Sequence, residues 1–469
     1  MNWTEASPSV FTRDLGGVEK IYRLVSQSFQ ATGREHWGLY CECTFELDPL
    51  QPNDATAAAL RSAWIALRHE LPGLAVAPGG LDKATYTLPT ASSVDAWADA
   101  TFFVNAAPTP PLNAVVADYP LRDLPALHYF PSSSQLLFLA SHWRVDGLGT
   151  CMVLDRLFAL LATNTPPPPS AWPNDLAKIS PSIEDAVGAP PAAEAAADPA
   201  TASFAREHIA KHHRNAVHAG GLATLGTPAT PPGRTACAAL TLSRTSTEAL
   251  AAACKARAVS VTAAAHAALA ETAFRLSPAP KPERYAAVMS VNMRPRLQPA
   301  FRGAEHAVQT YVTGVTPSVG RDATFGERAA HLTAFYKEGW YSERFVRAMR
   351  LATQYHFEAM AAARGAAPQG VKPKPPSNVL LSSLGVVDKY LAPRHAGGDR
   401  AVRVTGFRFG VSMLTRQMLL YVWTFDGRLQ LSVNYNEAYH GRAEAEAFLQ
   451  TMKTVLETEL GVGLDLDLD

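Results

Sequence analysis

The chain has no excess of charge: 42 Lys and Arg balance 42 Asp and Glu over 469 residues. Without a one-signed field to draw it to a polyphosphate or an acidic lipid surface, it is expected to have no nucleic-acid or membrane partner and to act on a small molecule. Cysteine is scarce too. Cys41, Cys43, Cys151, Cys237 and Cys254 are odd in number and scattered, with no C-x-x-C pair, which excludes a disulfide framework and leaves reduced, mostly core thiols. Long uncharged apolar runs are missing: the most apolar helix candidate carries Asp155 and Arg156 in its middle, and Met1-Asn-Trp-Thr-Glu-Ala lacks the basic and apolar regions of a secretory signal. A cytoplasmic protein is expected. There is no G-x-S-x-G elbow, P-loop, G-x-G-x-x-G or HExxH, which argues against hydrolase, kinase, dehydrogenase and metalloprotease chemistry.

What the chain does have is apolar bulk. With 47% hydrophobic residues it can bury large cores, and its length suggests two or three domains. Trp37 to Leu47 has strand composition, and Asp54 opens an Ala/Leu-rich helix through His69. Ala126 to Phe130 and Gln135 to Ser141 flank Pro131-Ser-Ser-Ser134 and read as a hairpin. From Thr163 to about Ser203 the sequence turns Pro- and Ala-rich without apolar periodicity, as expected of an exposed connection.

The later sequence opens with a strand over Ala236 to Leu242. Ser246 or Thr247 is the expected N-cap of a helix over Glu248 to Arg257, and a second helix covers Ala263 to Arg275. Strands are expected over Tyr285 to Val291 and Val308 to Val315, and one long helical region over Thr324 to Ala363. A Pro/Lys loop, Pro368 to Pro376, follows. Val379 to Val387, Val402 to Val411, Met418 to Thr424 and Leu429 to Tyr435 read as four strands, the middle pair a meander, and Arg442 to Leu460 as a closing helix. Leu464 to Asp469 reads as a frayed acidic tail. These patterns divide the chain into 1–165, a crossover linker 166–230, and 231–469, each half an α/β assembly of sheet and helices.

One motif carries chemistry: His142-Trp-Arg-Val-Asp146-Gly147, which follows an apolar strand and precedes an amphipathic helix. A strand ending in a histidine and turning on Asp-Gly holds an imidazole on a rigid element. The His-x-x-x-Asp-Gly spacing resembles the signature of the CoA-dependent acyltransferase superfamily, which includes chloramphenicol acetyltransferase, plant BAHD enzymes, fungal trichothecene acetyltransferases and peptide-synthetase condensation domains. Arg68-His-Glu-Leu-Pro72, Leu240-Thr-Leu-Ser243, Ser260-Val-Thr262, Ser290-Val-Asn-Met-Arg-Pro-Arg296 and Val433-Asn-Tyr-Asn-Glu-Ala-Tyr439 resemble further segments of that family in the same order. Ser382-Ser-Leu-Gly385 with Val386-Val-Asp-Lys-Tyr-Leu391 looks most like the fungal trichothecene-type acetyltransferases. Ser141 stands where condensation domains carry a second histidine, and the Asp-Phe-Gly-Trp-Gly motif of the plant enzymes is missing.

The resemblance implies two chloramphenicol-acetyltransferase-like lobes, each a mixed sheet flanked by helices, with a tunnel between them in which CoA and an alcohol acceptor meet at His142. The implied reaction is acyl transfer, expected to be acetyl transfer, from acyl-CoA to a hydroxyl of a secondary metabolite such as a sesquiterpenoid. Acyl-CoA is a cosubstrate, and no permanently bound cofactor is implied. His142 would be the general base, since histidine titrates near neutrality unaided. Asp146 is implied to face away and pair with an arginine, Arg294 first and Arg296 second, and Gly147 with Gly149 to let the backbone turn sharply. Ser383 and Tyr435 are both chemically suited to hold an oxyanion, and sequence does not choose between them. His208 and His212 stand four apart on a possible helix, but no further ligand completes a set and no metal is expected. A monomer is expected. Two alternatives stay open: a condensation-like enzyme using a carrier-bound acyl group or catalysing cyclisation, and a binding protein that has lost catalysis.

Overall fold

The computed structural model describes residues 3–105, 112–165, 175–217, 220–365, 376–398 and 400–467; the Pro166–Pro169 run, most of the expected Pro368–Pro376 loop and the last two residues lie outside them. The chain folds as two α/β units. The first comprises 1–189, 292–312 and 387–412, and the second 190–291, 313–386 and 413–469.

The central sheet of the first unit has six strands, in the order Arg394–Gly397, Arg400–Val411, Leu39–Asp48, Gln135–Ala140, Ala126–Phe130 and Phe102–Val104. All neighbours are antiparallel except the last pair, so the sheet is mixed. The expected hairpin forms: Ala126–Phe130 returns as Gln135–Ala140 over a turn in which Ser134 takes a positive φ of 49°. Both strands are buried almost throughout, which is why they read as apolar runs rather than alternations. Helices Asn53–Glu70 and Gly147–Thr163 pack against each other beside this sheet. Trp64, fully buried, stacks on Trp97 at 5.2 Å and donates its indole N–H to the Thr101 hydroxyl.

The second unit is built on another six-stranded mixed sheet, in the order Val312–Val315, Met289–Asn292, Val379–Val386, Met418–Phe425, Arg428–Asn436 and Thr235–Thr241. Against it lie Val261–Leu276, whose buried alanines bring its backbone close to its neighbours, and Arg442–Leu460, which buries Phe448, Leu449, Met452 and Leu456.

Several expectations are corrected. Arg400–Val411 does not form a meander with Met418–Phe425: it pairs with Leu39–Asp48 in the other sheet, while Met418–Phe425 turns on Asp426-Gly427, both with positive φ, into Arg428–Asn436. Periodicity identifies a strand but not its partner. Within the stretch expected to be an exposed connection, Ala192–Ala197 and Pro199–Val217 are helices, and Ala195, Ala202 and Ala205 pack with Ala348, Leu351 and Ala352. Alanines and histidines are interleaved on the Pro199–Val217 face with only Phe204 and Ile209 as large apolar residues, so its apolar periodicity is weak.

The expected long helix is broken. Phe325–Ala334 runs into a single π turn, Phe335–Gly339, before Glu343–Gly365 begins. Ser243, not Ser246 or Thr247, caps Arg244–Ala256, its hydroxyl accepting the Ser246 N–H. Among the described residues no helix is long and apolar enough to cross a membrane.

The end of the chain is also not frayed through Asp467. Leu464 is 1% exposed, Leu466 bridges to Leu242, and Asp467 pairs with Arg428. Leu464→Ala is therefore expected to cost about 2 to 5 kcal/mol, as burial of a leucine predicts. A loss below about 0.5 kcal/mol in urea denaturation, the usual size for a surface change, would restore the frayed-tail reading.

Candidate active site

Among the described residues, those that hold the His142 turn lie within the first unit. Strand Gln135–Ala140 delivers Ser141 and His142, and the chain then turns, the Arg144 N–H donating to the Ser141 carbonyl. Asp146 is the N-cap of Gly147–Thr163: its backbone is extended and its Oδ1 accepts the Gly149 N–H at 2.8 Å. The sequence Asp-Gly-Leu-Gly folds this way because an aspartate satisfies the orphan amides of the first turn. Gly149 is required for space: a Cβ there would sit 2.3 Å from the Ala307 carbonyl oxygen and 3.0 Å from Arg294 Nη2. Gly147, also buried, is the first residue of the helix.

Asp146 is fully buried, and its carboxylate is spoken for. Arg294 Nη1 lies 3.0 Å from Oδ1 and 2.9 Å from Oδ2, and the Tyr311 N–H donates to Oδ2 at 2.7 Å. Arg294, 4% exposed, sits in a short 3-10 turn, and Arg296 in the same turn is exposed. This pairing is incompatible with a triad, in which the carboxylate would grip the histidine.

His142 itself is half-buried. The Tyr22 ring, from helix Gly17–Ser26, stacks on it at 3.9 Å and 14°. The Thr310 hydroxyl donates to its carbonyl. Burial pushes the imidazole down to about 4, against smaller opposing pulls from its own backbone and from Asp146. At neutral pH the ring is uncharged and able to accept a proton.

A second buried ion pair props the same segment. Arg13 and Glu19 approach to 2.6 Å, and Gln309, next to Thr310, donates to Glu19 Oε1. Burial raises Glu19, but the Arg13 guanidinium together with the hydrogen bonds from Gly16 and Gln309 outweighs it and holds the carboxyl below its ordinary range. Sequence reasoning missed Arg13, Glu19, Tyr22 and Thr310. Each is distant in sequence from the motif, and none has a spacing that would single it out.

Ser383 and Tyr435 belong to the second unit. Ser383, half-buried, exchanges a 2.9 Å hydrogen bond with Thr262, and Tyr435, 2% exposed, is part of that unit's hydrophobic core. His208 and His212 lie on the Pro199–Val217 helix, where the His212 ring meets His356 at 5.0 Å. Among the described residues no group of three or more His, Cys, Asp or Glu is placed to hold a metal ion.

The buried pair generates one prediction. Asp146→Asn leaves Arg294 buried without a countercharge and should lower stability by about 3 to 5 kcal/mol in urea denaturation. A second concerns pH. Folded His142 titrates near 4 and a free imidazole near 6.5, so the unfolded chain binds the proton first and stability is lost as pH falls through that window. His36, fully enclosed and pushed down to about 3, acts in the same direction. His142→Gln should therefore flatten the loss of Tm between pH 6.5 and 4, and an unchanged slope would contradict the neutral, buried ring.

Residues 231–434 match the family model described as phthiocerol/phthiodiolone dimycocerosyl transferase C-terminus. The chain is 45% identical to O-acetyltransferase pigM of Monascus ruber over 99% of its own length and 88% of that protein's. It is 38% identical to azaphilone biosynthesis cluster protein M of Aspergillus terreus over 98% of each. The solved structure of the TRI3 trichothecene 15-O-acetyltransferase from Fusarium sporotrichioides superposes with a TM-score of 0.78 at 16% identity, over 97% of this chain and 96% of that one. The fold is thus that of the chloramphenicol-acetyltransferase-like, condensation-type superfamily. On this identity and coverage the chain belongs to the family of fungal O-acetyltransferases, and it is an acyltransferase.

Proposed function

We propose that the chain is an acyl-CoA-dependent O-acetyltransferase that acetylates a hydroxyl of a small secondary metabolite, with His142 as general base. The observation that carries the reading is an uncharged, half-buried imidazole at a strand end whose neighbouring carboxylate is committed to Arg294. In this reaction the imidazole takes the acceptor's hydroxyl proton as the oxygen attacks the thioester carbonyl. The tetrahedral oxyanion collapses, the C–S bond breaks, and the imidazolium returns its proton to the departing CoA thiolate. No covalent enzyme intermediate is needed. Asp146 and Arg294 hold the turn that carries the base and do not relay protons.

For the acceptor, the relatives favour a hydroxylated azaphilone, since one is named from an azaphilone cluster and shares 38% identity over nearly the whole chain. A sesquiterpenoid alcohol is the comparison substrate, after the trichothecene enzyme of similar fold. The test follows free thiol released from acetyl-CoA in the presence of each alcohol, and the acetylated product by mass. Release with the azaphilone is expected, and His142→Ala should reduce it by about 10²- to 10⁴-fold while leaving Tm close to that of the parent. A His142→Ala protein with parental turnover would remove the mechanism. Transfer from an acyl carrier protein but not from acetyl-CoA would replace the donor.

A further inference from the structure

Behind His142 lies a carboxyl group that the reaction above does not use. Glu35 is 1% exposed, its Oε2 accepts the Ser141 hydroxyl at 3.0 Å, the Arg122 carbonyl standing farther from that hydroxyl at 3.4 Å, and the Arg122 backbone also hydrogen-bonds the carboxyl. A carboxyl taken out of water is costly unless it is hydrogen-bonded, which makes the Ser141 bond energetically significant. Ser141 immediately precedes His142, so this bond acts on the residue that sets where the imidazole begins.

Glu35 is itself rigidly held. Its N–H donates to the Tyr119 carbonyl, its carbonyl accepts the Ser412 hydroxyl, and the Trp37 N–H donates to the Ser412 carbonyl. Trp37, at a positive φ of 60°, tilts against Tyr22, the ring stacked on His142. The strand pairing places Leu39 opposite Ala140, so the Glu35 segment and the Ser141–His142 segment leave the same ladder side by side. The turn they share is closed from three more directions: Arg144 N–H to Ser141 carbonyl, Thr310 hydroxyl to His142 carbonyl, and the Arg144 guanidinium to the carbonyls of Gly73 and Asp123. Among these ties the one to Glu35 is made by an acid.

We infer that Glu35 is a positioning residue for His142, holding the turn through the Ser141 hydroxyl more firmly as a carboxylate than as a neutral acid. The inference rests on His142 being the base. Its physical reason is that a hydrogen bond to an ionised acceptor is roughly twice as strong as one to a neutral acceptor. The groups facing Glu35 are Arg23 from helix Gly17–Ser26, Arg144 from the turn, and Tyr119 and the Arg122 backbone from the segment before the hairpin, while Asp123 acts on Arg23 and Arg144. Burial pushes Glu35 up to about 7, opposed by the Ser141 bond, by Arg23 and Arg144, and by the Arg122 backbone. The carboxyl therefore changes state near neutrality, where His142, held near 4, does not. The two consequences have opposite signs. Positioning improves as pH rises through about 7, whereas stability falls, because the folded state there gives up a proton it binds more tightly than the unfolded chain does.

The test uses the full chain with acetyl-CoA and the azaphilone alcohol, together with ¹⁵N-histidine NMR of the His142 ring. Ser141→Ala and Glu35→Ala are each expected to lower kcat by about tenfold with KM within about twofold, and the double variant to be no slower than either single. Glu35→Gln, which keeps the acceptor but not the charge, should lose the rise in kcat across neutrality and the matching fall in Tm. The ring resonances of His142 should shift in all four variants. Should Glu35→Ala fail to fold, Glu35→Gln and Ser141→Ala carry the test alone. Parental kcat with unmoved ring resonances, single losses that multiply, or a pH profile unchanged by Glu35→Gln would each overturn the inference. An active His142→Ala protein would instead overturn the general-base reading, and the ring resonances would still report whether Glu35 sets the ring.

Discussion

The first unit depends on one buried ion pair. Asp146 and Arg294 are 148 positions apart, and the same carboxylate caps a helix, accepts the Tyr311 amide and neutralises the guanidinium. A pair taken out of water is sustained only where its remaining donors and acceptors are also satisfied, and here the helix amide and the Tyr311 amide do that. The segment 292–312, which the chain reaches only after building part of the second unit, is thereby tied to the start of Gly147–Thr163. Thr310 and Gln309 arrive with it, one closing on the His142 carbonyl and the other on Glu19.

This arrangement separates two tasks that a catalytic triad combines. In a triad the carboxylate orients the imidazole and stabilises its charged form. Here the carboxylate builds the turn, while the imidazole is oriented by backbone closure and by a stacked tyrosine. The difference shows in the electrostatics. With burial as the main influence and Asp146 turned toward Arg294, the ring stays uncharged at neutral pH. An imidazole in that state can accept a proton without first losing one.

The second unit is assembled by another kind of contact. Helix Val261–Leu276 buries a run of alanines, and the Pro199–Val217 helix meets Glu343–Gly365 through alanines interleaved with Phe204, Ile209 and histidines. Small side chains let backbones approach and helices form at little entropic cost, but they carry weak amphipathic signals. That is why Arg442–Leu460, with its Phe and Leu stripe, was legible throughout, while Pro199–Val217 was legible as a possible helix only around His208 and His212.

The sequence by itself determined the pieces whose cause is local. His142 sits where an apolar strand gives way to Asp-Gly, the hairpin before it follows from two apolar runs and a Pro-Ser turn, and the buried strands follow from their uninterrupted apolar composition. The choice of Arg294 over Arg296 came from family resemblance, and only the fold shows the first buried and the second exposed. Tertiary structure alone decided which strands are neighbours, since Arg400–Val411 joins Leu39–Asp48 across more than 350 positions. It also brought Tyr22 and Thr310 to His142, and Glu35 to the neighbouring Ser141. The physical reason is that periodicity and capping act over a few residues, whereas burial, stacking and desolvated charge depend on which distant segments the fold happens to bring together.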